Sequence, residues 1–163
     1  MSRLVIVLPL APLTVGESFA VHSWPLHVTV LPPFLTTAGP EQIARAVGAA
    51  CVGQPAITAT AGADELFGRR HNVPVTVLEE NPELTALHRA LRAAVRPFAT
   101  EPDEPAFTGP GYRPHVTVKQ DRRVEPGHLL TLSQLAVVDM APRAHPAGRT
   151  VLATLDLGTP ARR

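Results

Sequence analysis

The sequence predicts a two-lobed α+β fold, a bilobal arrangement of duplicated antiparallel β-sheets with the helices outside. Three observations carry that prediction. The tetrapeptide HVTV stands at His27–Val30 and returns at His115–Val118, once in each half of the chain. Short β-branched runs outnumber amphipathic helical ones. The 18 prolines are spread along the chain rather than massed, as expected of many strand ends and loops. With 163 residues, 45% hydrophobic and 18% charged, the chain has enough apolar material for a core and is not a disordered polymer. The repeated unit is longer than a solenoid repeat and occurs only twice, so residues 1–163 are expected to form one bilobal domain and not an array.

The elements follow in order. Residues 3–9 are apolar and β-branched, a strand buried on both faces. Arg3 and this run give the start a superficial likeness to a signal peptide, but Pro9 and Pro12 interrupt a short run that lacks a small-residue cleavage site. A strand is expected from Leu26 to Leu31, stopped by Pro32 and Pro33. GPEQIARAVGAACV reads as a helix, with Pro40 in its first turn and Ile43, Val47, Ala50 and Cys51 on one face. PAITATAG and NVPVTVLE are strand-like, with ADELFGRRH as the hairpin connection between them. NPELTALHRALRAAVRPF has an N-cap in Asn81, a proline at the first helical position and Glu83 complementing the helix dipole. Leu84, Leu87, Leu91, Val95 and Phe98 form its buried stripe, and Arg89, Arg92 and Arg96 lie away from it. A loop runs from Glu101 to Gly111, and YRPHVTVKQ is the next strand. LLTLSQLAVVDM and RTVLATLDLG are the last two, joined by the loop APRAHPAG.

Charge narrows the function. The net charge is +1 and no run of like charges is long enough to hold a polyanion. A small anionic ligand or the end of a nucleic acid fits this balance better than a duplex. Cys51 is the only cysteine, so no intrachain disulfide forms, which suits a cytoplasmic protein. No segment is long and apolar enough to span a membrane. Nothing points to a protein partner, and a monomer is expected.

Strand alternation gives HVTV its meaning. His27 and Thr29 point to one face and Val28 and Val30 to the other, and the second copy repeats this with His115, Thr117, Val116 and Val118. The valines are core anchors. The histidine and threonine need a partner, because polar groups in a sheet interior cost free energy unless satisfied. If the lobes are related by an approximate twofold axis, two imidazoles and two hydroxyls converge, which suits a phosphodiester. Hydroxyls bind nonbridging oxygens, one neutral imidazole takes a proton from water, and the other, protonated, gives one to the leaving oxygen. Histidine serves both roles because its pKa of about 6.5 lies near working pH.

The paired segments LHVTVLPPF and YRPHVTV resemble those of the two-histidine (2H) phosphoesterase superfamily, in its bacterial 2′-5′ RNA ligase and cyclic phosphodiesterase branch. The resemblance implies a bilobal pair of antiparallel sheets with a central cleft. It also implies cofactor-free, metal-independent hydrolysis of 2′,3′-cyclic or 2′-5′ phosphodiesters, sometimes with reversible RNA ligation. His27 and His115 match the catalytic positions, and Thr29 and Thr117 match those expected to hold phosphate. A nucleotide cyclic phosphate or an RNA terminus is the implied substrate. The alternatives are 2′-5′ RNA ligation as the main activity, or, from another class, a non-catalytic nucleotide-binding module using the same cleft.

Further candidates carry two readings each. Tyr112 is a base-stacking ring or a loop aromatic, and Arg113 a phosphate contact or a solvated cation. Phe34 is a base platform or a packing plug. Phe67, Arg69, Arg70 and His71 form a hairpin tip that closes over a nucleotide or is a solvated turn. Trp24 reads as core packing, His88 as a boundary residue of its helix stripe, Cys51 as a buried thiol, and His22, His128 and His145 as surface or loop residues. A metal held by His27 and His115 would lack the carboxylate or thiolate company that completes such sites.

Overall fold

The computed structural model describes residues 1–99, 108–140 and 148–158. Its strands are β1 (Ser2–Pro9), β2 (Ser18–Phe19), β3 (His27–Thr36), β4 (Ile57–Phe67), β5 (Val73–Leu78), β6 (His115–Thr117), β7 (Leu129–Leu132), β8 (Gln134–Met140) and β9 (Arg149–Asp156). The helices are α1 (Pro40–Ala50) and α2 (Pro82–Val95), with short 3₁₀ turns at Val21–Ser23, Arg96–Phe98 and Gly109–Gly111. The strands lie in the order β2-β9-β8-β1-β3-β6-β5-β4-β7, every neighbouring pair antiparallel.

This order divides the sheet. β2, β9, β8, β1 and β3 form one half, and β6, β5, β4 and β7 the other. The two HVTV strands are the innermost strand of each half. They meet through one residue pair, Val28 opposite Val116. Both helices cover the same face: Ile43 and Val47 of α1 and Leu84, Leu87, Leu91 and Val95 of α2 pack with Val28, Val30 and Val116. The opposite face of the first half carries a second apolar cluster, in which Trp24 covers Val5, Val7, Ala136, Val138 and Val151. β1 is therefore buried on both sides, as its uninterrupted apolar run predicts. Asn81 caps α2, its side chain accepting from the Leu84 amide at 3.1 Å.

Four boundaries differ from the sequence expectation, the first being YRPHVTVKQ, of which only His115–Thr117 is strand. Pro32 and Pro33 do not stop β3, which continues to Thr36. They fall where the β1–β3 register shifts, so their missing N–H groups forfeit no ladder bond. Past the Val28–Val116 pair the next bridge on the other side of β3, among the described residues, is Thr36 with Ala99. ADELFGRRH is mostly strand: β4 runs to Phe67, and the turn is confined to Gly68–Asn72, with Gly68 at φ +92° and His71 at φ +49°. LLTLSQLAVVDM is two strands parted at Ser133, and the division is functional to the fold. β7 pairs with β4 in one half, and β8 pairs with β1 and β9 in the other. The expected loops Glu101–Gly111, in large part, and APRAHPAG, with His145, lie outside the described residues.

Candidate functional site

The Val28–Val116 pair sets the geometry. Continuing that register by one residue in each direction puts His27 opposite Thr117 and Thr29 opposite His115. All four lie on the face away from the helices, because the valines between them are in the helix-side core. Facing residues in an antiparallel pair have Cβ atoms about 4.5–5.5 Å apart and diagonal positions lie roughly 7–8 Å apart; His27 and His115 occupy such a diagonal. The arrangement is close to twofold about the valine pair.

The twofold extends to the tautomers. His27 Nδ1 lies 2.8 Å from the Pro25 carbonyl, and His115 Nδ1 lies 2.8 Å from the Arg113 carbonyl, in each case the residue two positions earlier. A carbonyl only accepts, so each Nδ1 carries the proton and donates it, leaving Nε2 as the reactive nitrogen. Each ring also leans on one aromatic side chain. Trp24 stacks on His27 with centroids 3.9 Å apart, and Phe67 meets His115 edge-on at 4.7 Å. The Thr29 and Thr117 hydroxyls have no hydrogen-bond partner among the described residues.

Burial sets the charge state. Loss of hydration lowers the His27 pKa to about 4, helped by the positive neighbours Lys119, His115 and Arg149 and opposed by the Pro25 hydrogen bond. His115 is shifted down as well, again chiefly by burial and then by the Arg113 charge. Both rings are therefore neutral at pH 7 in the free chain, each presenting a basic Nε2.

A cavity of about 290 Å³ opens beside Thr29 and His115, walled by Pro32, Pro33, Phe67, Val73, Val75, Tyr112 and Arg113. Tyr112 is tied on two sides. Its hydroxyl donates to the Thr29 carbonyl at 3.0 Å, and its ring stacks on His88 with centroids 4.1 Å apart and planes 2° from parallel. Burial raises the Tyr112 pKa, so it stays a neutral donor. Arg113 donates to Glu65 at 2.7 Å while its guanidinium lies 5.0 Å from the Phe67 ring centre. It thus builds the cavity wall with its charge already engaged. Arg69 and Arg70 stand exposed at the hairpin tip; Phe67, Gly68 and Val73 of that hairpin line the cavity, but the two arginines do not.

Two expectations are corrected. Phe34 is no base platform: it is 3% exposed and packed in the helix-side core, because β3 runs on through the prolines and carries it inward. His88 is no boundary residue but wholly buried. Its Nδ1 lies 2.7 Å from the Val30 carbonyl, and its Nε2 accepts from the Gly109 amide at 2.9 Å. It thus joins α2 to the first HVTV strand and to the turn that carries Tyr112. A signal was present: His88 is four residues after Leu84 and three before Leu91, inside the stripe rather than at its margin. Among the described residues no group of three potential histidine, cysteine or carboxylate ligands gathers in one place.

An antiparallel sheet whose two central strands each present an H-x-T face, with both helices behind them, is the architecture of a two-histidine phosphoesterase. The chain belongs to the 2′-5′ RNA ligase superfamily, whose family model matches residues 11–147. Solved structures share the fold. LigT of E. coli in its apo form has a TM-score of 0.60 at 17% identity, over 96% of this chain and 98% of that one. A protein described as a phosphoesterase has 0.60 at 18%, and LigT complexed with 3′-AMP 0.58 at 19%, each over 96% of this chain and 98% of the other. No curated protein matches the chain by sequence.

Proposed function

We propose that residues 1–163 act as one bilobal phosphodiesterase that opens 2′,3′-cyclic phosphates or 2′-5′ phosphodiester bonds of nucleotides or RNA ends. It does so by proton transfer through His27 and His115, without a metal. The observation that carries this reading is the matched pair of imidazoles, each with Nδ1 tied to its own strand and Nε2 left to react, on one face beside two hydroxyls. A phosphodiester anion between the rings accepts from Thr29 and Thr117 at its nonbridging oxygens. Its negative charge raises both imidazole pKa values, so one ring takes up a proton as substrate binds.

The neutral Nε2 then removes a proton from water as the water oxygen bonds to phosphorus. The P–O bond to the leaving ribose oxygen breaks on the far side, and the protonated ring supplies that oxygen's proton. A phosphomonoester and a free hydroxyl result, and solvent exchange restores the two rings. The same step with a ribose hydroxyl in place of water as nucleophile joins two ends through a new phosphodiester and frees the leaving ribose hydroxyl, which is ligation. The apolar cavity beside His115 takes the nucleoside, Tyr112 and Phe67 offering ring surface to a base. The LigT complex with 3′-AMP supports a nucleotide as ligand class.

The test is turnover of 2′,3′-cyclic AMP and of 2′-5′-linked diadenosine monophosphate in excess chelator. The expected result is hydrolysis at the rate seen without chelator. Loss of activity on chelation, or tight binding with no hydrolysis of either, contradicts the reading.

A further inference from the structure

The two imidazoles sit in unlike surroundings. His115 borders the apolar cavity, whereas His27 is flanked by Trp24, around which cations gather. The Lys119 ammonium lies 5.6 Å from the Trp24 ring centre and the Arg149 guanidinium carbon 5.2 Å. Arg122 donates to the carbonyls of His22 and Trp24 at 3.2 and 3.3 Å. Lys119 lies two residues past Thr117, just beyond the end of β6, and so within about 7 Å of it along the chain. Both Lys119 and Arg149 are near enough to His27 to disfavour its protonation.

Structural duties account for only part of this cluster. Lys119 donates to the Val21 carbonyl at a long 3.4 Å, leaving most of an ammonium's three donors unused. Glu65 is paired with Arg113, and Asp64 and Glu125 with Arg123. Among the described residues neither Lys119 nor Arg122 has an ion-pair partner. The charges also oppose one another: burial first, then Arg149 and Arg122, depress the Lys119 pKa. Trp24 Nε1, buried in the same place, has no hydrogen-bond partner among the described residues either. Like charges held together beside a reactive centre create a field that an anion relieves.

We propose that Lys119, with Arg149 and Arg122 behind it, forms a second anion subsite on the far side of His27 from the apolar cavity. It would hold a further phosphate of the substrate. The inference rests on the function proposed above and deepens it. The substrate spans the centre, with a nucleoside in the cavity, the scissile phosphate between the imidazoles, and another phosphate at Lys119. The favoured class is an oligonucleotide fragment with at least two phosphates rather than a mononucleoside cyclic phosphate.

The experiment compares kcat/KM for 2′-5′-linked diadenosine monophosphate with that for the same compound carrying one added phosphate at its 5′ or its 2′ terminus. One added phosphate should raise kcat/KM by about tenfold or more, and Lys119→Met should bring that ratio to near one. Ratios near one for both compounds in the unaltered protein, or a ratio that Lys119→Met leaves intact, overturn the subsite. Hydrolysis of none of the three counts against the proposed function instead, and a second measurement then decides the subsite. Trp24 is the sole tryptophan, so its fluorescence reads this place alone. Inorganic pyrophosphate should change it saturably, and Lys119→Met should abolish the change. No saturable change overturns the proposal.

Discussion

His27 is buried at a cost that shows in its proton affinity, and His115 follows it in the same direction. Catalysis by the proposed route needs one neutral and one protonated ring. Since both pKa values in the free chain lie below 6.5, kcat/KM should peak below pH 6.5 and fall tenfold per unit above it. The kcat profile should lie higher in pH, because a bound phosphate anion favours the protonated ring. Parallel pH profiles of both constants check this; a kcat/KM plateau extending through pH 8 contradicts it. His88 acts at one remove. Its replacement by alanine leaves the Val30 carbonyl and the Gly109 amide without their partner and Tyr112 without its stacking surface. We expect His88→Ala to lower stability by about 3 kcal/mol in urea unfolding. Conservative His88→Gln should recover part of that loss.

At the scale of elements, the β4–β5 hairpin builds one wall of the cavity proposed to take the nucleoside. Phe67 sits at the end of β4, half-buried, with its ring against His115 on one side and the Arg113 guanidinium on another. Phe67→Ala should raise KM about tenfold while leaving kcat within a few-fold, as steady-state kinetics on a cyclic nucleotide would show; a fall in kcat alone would mean that Phe67 orients His115 instead. How much of this was legible follows the range of each cue. The faces of His27, Thr29, His115 and Thr117 follow from alternation, a local rule, and the valines between them do enter the core. The cap and stripe of α2 were legible for the same reason. The role of His88 was not, because its partners come from β3 and the Gly109 turn, far away in sequence. The full length of β3 was not legible because a proline pair normally ends a strand, and only the register shift against β1 shows why this one does not. The division of LLTLSQLAVVDM at Ser133 depends on which half of the sheet each part joins, which no local pattern encodes.

For the whole molecule, the proposed centre lies where the two halves meet through a single residue pair. The linkage has a definite sign. The unfolded chain takes up a proton at His27 near pH 6.5, while the folded chain resists until about pH 4. Between those values the unfolded state binds more protons, so stability is lost as pH falls through the window, by on the order of 3 kcal/mol in total for this residue. Urea midpoints at pH 7 and pH 4.5 should show a larger loss for the unaltered protein than for His27→Gln; equal losses would contradict the burial argument. The account stands or falls on two imidazoles acting on one phosphorus. The most direct measurement is kcat/KM for 2′,3′-cyclic AMP in His27→Ala, His115→Ala and the double variant, with folding of each verified. Acting in one step, each single change should cost at least about 10²–10⁴-fold, and the double variant should be little worse than either alone. A single variant that keeps near-full turnover, or losses that multiply in the double variant, would contradict it.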